Sequence, residues 1–170
     1  MPPALKYEEQ GGPTLRDLAG VIRNFGDPRD LTHLLRRTTF NIAVGNADAH
    51  AKNFSLLHQP GSPAVELAPL YDVASTIALR LTDSAGRPMQ ADTHLAQRVG
   101  GQTDIRTVTT ASLIDEAASW GIRRPAASAV ITETLDRVLA AVAEVPGDGR
   151  VLAVIREQAG RINRTGGVHA

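Results

Sequence analysis

A chain of 170 residues is long enough to bury one core, and 42% hydrophobic with 21% charged residues is the balance of a single globular domain. Eighteen basic residues offset eighteen acidic ones, so the surplus positive charge that direct nucleic-acid binding needs is missing. The absence of cysteine excludes disulfides and thiolate metal sites, and with neither an apolar leader segment nor a membrane-length apolar run the default expectation is a cytoplasmic protein without membrane contact.

The hydrophobic pattern predicts a mainly α-helical domain over residues 1–163, with a disordered tail at 164–170. Aromatic residues are only 4% of the chain, so Leu, Val, Ile and Ala must build the core. Thr14 with Asp17 reads as a capping box opening a helix over 14–23, with Leu15, Leu18, Ala19 and Ile22 at helical spacing. Asp27 and Pro28 read as the N-cap and first residue of a second helix. Its stripe is Leu31, Leu34, Leu35, Thr38 and Ile42, and Gly45 is placed to end it. Residues 54–58 and 65–67 then read as a small β-hairpin around the turn at 59–63. The Gly-rich, polar stretch 80–104 reads mostly as loop. Helices follow over 110–120, from Pro125 to before Pro146 with Ile131, Leu135, Val138, Leu139 and Val142 inside, and over 149–162. Trp120 reads as a core anchor. The basic pairs Arg36-Arg37 and Arg123-Arg124 read as solvated helix faces, and His33, His58, His94 and His169 as surface residues.

The informative segment is Gly45-Asn46-Ala47-Asp48-Ala49-His50-Ala51-Lys52-Asn53-Phe54. Small residues alternate with polar ones between a helix end and a strand start, the kind of place where a scaffold displays reactive groups. Phosphoryl transfer asks for this set of residue types. Asp48 can orient and deprotonate an attacking hydroxyl, and Asn53 can offer an amide oxygen to magnesium. Asp72, just past the hairpin, can bridge the metal to nucleotide phosphates. His50 and Lys52 are both available as the cation near the γ-phosphate. Magnesium prefers the hard oxygens these residues supply. Taken singly, Asp48, Asn53 and Asp72 also suit caps and turns. The ring of Tyr71 is most simply core packing with its hydroxyl at the surface.

The ordered string from Asn46 to Leu57, followed by Leu67-Ala68-Pro69-Leu70-Tyr71-Asp72-Val73-Ala74-Ser75-Thr76, resembles the catalytic core of the HipA-type toxin serine/threonine kinases. Lys6-Tyr7-Glu8 with Gly11-Gly12-Pro13, and Leu95 through Gly101, resemble segments flanking that core. The resemblance implies the C-terminal lobe of a protein-kinase-like fold with Asp48 as catalytic base. It implies that His50, Ala51, Lys52 and Asn53 contact ATP phosphates, that Asn53 and Asp72 hold magnesium, and that Tyr71 lies against the nucleotide. It further implies a protein-serine substrate of the aminoacyl-tRNA synthetase class and a DNA-binding antitoxin as partner.

Against that pattern the chain reads as a C-terminal lobe alone. Its only lysines are Lys6 and Lys52, and no Gly-x-Gly-x-x-Gly occurs. A truncated product, one half of a split kinase with a separately encoded N-terminal lobe as partner, and a fragment of a longer chain are all open readings. The isolated chain is expected to bind ATP poorly and to transfer phosphate slowly, if at all. Two other readings stay open. One is a divalent-metal hydrolytic site on Asp48, His50 and Asp72. The other is a catalytically inactive module that binds an antitoxin or another partner.

Overall fold

In the computed structural model, which describes residues 6–27, 29–58 and 60–166, helices carry the core and three two-stranded antiparallel sheets are strung between the second and third of them. Helix α1, Leu15–Phe25, opens on the expected capping box. Thr14 Oγ1 accepts the Asp17 N–H at 3.0 Å, and the Asp17 carboxylate accepts the Thr14 N–H at 2.9 Å. Leu15, Ala19 and Ile22 form its buried face.

Helix α2, Arg29–Val44, buries Leu34, Leu35, Thr38 and Ile42, while Leu31 is half-buried. The predicted first residue, Pro28, lies outside the described residues; Asp27 accepts the Arg29 N–H at 2.8 Å. The helix closes on Gly45, at φ 77°. Gly45 N–H donates to Ile42 O at 3.2 Å, and Asn46 N–H to Asn41 O at 2.9 Å. Those paired bonds are the left-handed glycine cap that a Cβ would strain.

Strands β1, Leu56–His58, and β2, Val65–Leu67, form the predicted hairpin, with Leu57 opposite Glu66. The region 80–104 departs from the expected loop. It contains a short pair, β3 Leu81–Thr82 and β4 Pro88–Met89, then a longer strand β5, His94–Val99, paired with β6, Gln102–Asp104. The reason is tertiary burial: Leu95, Ala96, Gln97 and Val99 are all buried, and Gly100 and Gly101, at φ 55° and 80°, make the two-residue primed turn that fits a twisted hairpin.

Helices α3, Thr110–Ser119, α4, Arg124–Glu144, and α5, Gly149–Gly166, complete the core, with α4 packed on α2, α3 and α5. Ile131, Leu135, Val138 and Val142 are buried as expected, and Leu139 is half-buried. Each fully buried side chain of this size contributes about 1.5–3 kcal/mol before chain entropy is counted. Trp120 anchors the bundle. Its Nε1–H donates to Glu116 at 3.0 Å, and the other Glu116 oxygen accepts the Gly100 N–H at 2.8 Å. Helix α5 runs three residues into the segment predicted as tail, because Thr165 Oγ1 donates to Ile162 O at 2.6 Å and accepts the Thr110 N–H at 3.0 Å. Residues 167–170 lie outside the described residues. No helix among the described residues is long and apolar enough to cross a membrane.

Gly100→Ala is expected to cost more than about 2 kcal/mol in urea unfolding, since its Cβ would lie 2.3 Å from Ser112 O at a positive φ. Asp104 gives a pH test. The Arg106 side chain beside it holds its carboxyl far below the ordinary carboxylate range, with Thr93 adding a hydrogen bond at 3.0 Å. A depressed folded pKa means that stability is full above the unfolded value of about 3.9 and falls as pH drops towards the folded value. Acid titration of Asp104→Asn should accordingly show a shallower loss of stability below about pH 4 than the parent chain.

Candidate functional site

The polar loop after α2 is held by bonds to two distant segments. Thr76 Oγ1 donates to Gly45 O at 3.2 Å and accepts the Ala47 N–H at 2.9 Å. Ala47 O accepts the Ala96 N–H from β5 at 2.9 Å. Asn46 donates to Asn41 Oδ1 at 2.9 Å, and Ile77 seals the turn so closely that a Cβ on Gly45 would lie 2.6 Å from its side chain. Beyond this clamp the backbone coils through a 3-10 turn, Ala51–Asn53, and Phe54 plugs into the core. Asp48 and Asn53 therefore hang from a fixed frame.

The hairpin's return is fixed from α2. Asp30 Oδ2 accepts the Leu67 N–H at 3.1 Å. Arg37 donates to Leu67 O at 3.3 Å and to Ala68 O. Burial pushes the Arg37 guanidinium below its ordinary range, with Asp30 opposing. Arg37 is thus a backbone clamp and not the solvated residue its neighbour suggested. The chain then delivers Asp72 in the left-handed region, at φ 55°, the single non-glycine residue there among those described. Such a conformation is sparsely populated and clusters at functional positions. Asn53 Nδ2 donates to Asp72 Oδ2 at 3.2 Å, so the two expected metal-holding residues meet. Tyr71 corrects the core-packing expectation: it is 41% exposed, because its hydroxyl is tied to Ser55 Oγ at 2.6 Å and to Lys52 O on the loop.

Asp48 is half-exposed, at the edge of a pocket of about 380 Å³ lined in part by Tyr7, Thr76, Leu79, His94 and Leu95. Lys6 Nζ lies 3.9 Å from its Oδ1 and 4.4 Å above the Tyr7 ring. Interaction with the Tyr7 side chain, then the charges of Asp48 and Asp72, raise the Lys6 ammonium above its ordinary range. His50 is buried, edge-on to Tyr7 with ring centres 6.0 Å apart, and its Nδ1 has no hydrogen-bond partner among the described residues. Ala51 is buried and Lys52 is exposed.

The Asp72 carboxylate and the Asn53 amide oxygen are hard donors of the kind magnesium takes alongside water and phosphate oxygens, and the two side chains touch here through Asn53 Nδ2. No group of three or more His, Asp or Glu side chains among the described residues is arranged to hold a metal unaided, so Asp48, His50 and Asp72 do not form a hydrolytic cluster. Sequence reasoning missed Lys6, Asp30 and Arg37 as parts of this site. The seven-residue separation of Asp30 and Arg37, two helical turns on one face, is the signal that was present. Strain at Asp72 is testable: Asp72→Ala should be about 1 kcal/mol less stable in urea than Asp72→Gly, because only the alanine meets the left-handed penalty. Equal stabilities would contradict that strain.

Known proteins resemble this chain in sequence and in fold. Over 150 residues the chain is 33% identical to a Sinorhizobium fredii protein named "Putative kinase Y4mE", covering 87% of this chain and 33% of that one. A second protein of that organism, "Putative kinase Y4dM", is 42% identical over 48 residues, 28% of this chain and 12% of that one. The chain thus spans about a third of the length of the first of these relatives. The fold matches HipA in a solved Shewanella oneidensis MR-1 complex of HipA, HipB and operator DNA, with a TM-score of 0.73 at 20% identity, over 96% of this chain and 40% of that one. It is the fold of the C-terminal, catalytic-loop lobe of a kinase-like protein. The HipA-like C-terminal domain model matches residues 1–142, and the chain belongs to that family.

Proposed function

We propose that this chain is the acceptor- and metal-handling lobe of a HipA-like protein serine/threonine kinase, moving the γ-phosphoryl group of ATP to a protein serine. The observation that carries the reading is the contact of Asn53 with Asp72 at 3.2 Å beside a half-exposed Asp48, all three on clamped backbone. In this reading the Asp48 carboxylate takes the proton of the attacking hydroxyl as its oxygen bonds to phosphorus and the bond to the ADP oxygen breaks. Asn53 and Asp72 would hold magnesium, which when bound would supply charge neutralisation at the phosphates.

Lys52, exposed on the 3-10 turn, offers a mobile cation to the phosphates, and the small Ala51 lets backbone approach them. Tyr71 presents a half-open ring beside Lys52 for the nucleotide. His50 keeps an unused Nδ1 beside the Tyr7 ring and is assigned as a further phosphate contact. Lys6 must exchange Asp48 for another partner when a hydroxyl arrives. We assign the remaining nucleotide grip to an N-terminal lobe and propose a protein substrate of the aminoacyl-tRNA synthetase class. A DNA-binding antitoxin is the proposed regulator, by analogy with the HipB bound to the HipA neighbour.

The test is to mix the purified chain with the separately expressed N-terminal lobe of a full-length relative and follow transfer of labelled phosphate. Magnesium-dependent transfer is expected. Asp48→Ala should lower it by about 100-fold or more while leaving magnesium–ATP binding nearly unchanged. Undiminished transfer by Asp48→Ala would remove Asp48 from the role of base.

A further inference from the structure

The pocket at Asp48 does not end there. Its walls Leu79 and Leu81 are shared with a larger groove of about 880 Å³, bounded by the β3–β4 hairpin on one side and α5 on the other. Leu79, Leu81 and Met89 line it and are 49%, 38% and 54% exposed, so three large apolar side chains gather on one surface feature. The remaining lining carries Arg80, Arg106, Arg150 and Arg161 against a single acidic residue, Glu157.

These four guanidinium groups are not equivalent. Arg106 is forked onto Asp104, at 3.0 and 2.6 Å, and its charge is answered. Arg161 is half-buried and spends its terminal nitrogens on Val108 O at 2.8 Å and Ile105 O at 3.2 Å, so it braces the wall. Arg80 and Arg150 are exposed and have no ion-pair partner at contact distance among the described residues. Asp148 feels both charges without contacting either guanidinium; its Oδ1 accepts the Arg150 and Val151 N–H groups at 2.8 and 3.3 Å, as the cap of α5. Two exposed guanidinium groups without a contact-distance ion pair among the described residues therefore flank an apolar floor that leads to Asp48.

We propose that this groove docks the acceptor protein through an extended acidic segment with interspersed apolar side chains, lying next to the hydroxyl delivered to Asp48. The inference rests on the kinase reading and adds a substrate class to it. A peptide matches the surface because carboxylates answer Arg80 and Arg150 while leucine-like side chains cover Leu79, Leu81 and Met89. A nucleic-acid backbone would answer the arginines and leave the apolar floor uncovered.

Fluorescence anisotropy on the intact chain tests the idea with three probes. These are a labelled peptide of alternating glutamate and leucine behind a serine, the same peptide with lysine for glutamate, and a short DNA duplex. The glutamate peptide should bind and the lysine peptide should not. The double variant Arg80→Glu/Arg150→Glu should weaken the glutamate peptide by about tenfold or more, with unchanged melting and unchanged magnesium–ATP binding. Leu81→Ser should weaken it too. Equal binding of the two peptides, undiminished binding by the double variant, or tighter binding of the duplex with loss in the same variant would each overturn the proposal. The peptide measurements need no nucleotide, so failure of the kinase reading would appear separately, as loss of magnesium–ATP binding with peptide docking intact.

Discussion

Thr76 uses one hydroxyl twice, donating to Gly45 O and accepting from Ala47 N–H, and so joins the end of α2 to the stretch just after Asp72. The two halves of the site lie 24 positions apart, by subtraction from Asp48 to Asp72, and this single side chain keeps their backbones in register. The Ala96 N–H to Ala47 O bond adds a third segment, and Gln97 continues the tie by donating to Pro13 O at 2.9 Å. Side chains mounted on such a frame lose little further entropy when they engage a ligand, which is how positioning chemistry is sustained.

The second constraint runs through α2. Asp30 and Arg37 satisfy the Leu67 N–H, Leu67 O and Ala68 O where β2 leaves its partner strand and the ladder ends. Leaving those groups unpaired in a buried setting costs about 1–3 kcal/mol each, so the helix determines where the chain goes next. It goes into the left-handed turn at Asp72, a conformation that returns the carboxylate to Asn53. Tyr71, bonded through its hydroxyl to Ser55 and Lys52, pins the preceding residue to the loop from outside. The strain at Asp72 is thus over-determined from both sides, which is how a sparsely populated conformation persists.

Local chemistry made much of this readable in advance. Thr14 with Asp17, Gly45 after Ile42, and the turn between the apolar runs at 56–58 and 65–67 each specify their element within a few residues. Residue type and spacing singled out Asp48, Asn53 and Asp72, and the structure brings Asn53 and Asp72 into contact. Strand β5 was harder to see. Its neighbours are polar and Gly-rich, and its burial depends on packing from other parts of the chain, although Gly100-Gly101 is a recognisable hairpin turn. Arg37, Tyr71 and Lys6 were misread or missed for one reason. Their roles depend on contacts of 31, 19 and 42 residues' separation, by subtraction to Ala68, Lys52 and Asp48, and no local pattern encodes such distances.

The central claim is that the clamped loop presents Asn53 and Asp72 as a metal–nucleotide pair in the chain as it stands. Calorimetric titration with ATP, with and without magnesium, on the parent chain and Asp72→Ala, addresses it most directly. With the rest of the nucleotide grip assigned to an N-terminal lobe, the account predicts weak binding that requires magnesium and disappears in Asp72→Ala. Binding that ignores magnesium, survives Asp72→Ala, or is absent from the parent chain would contradict it.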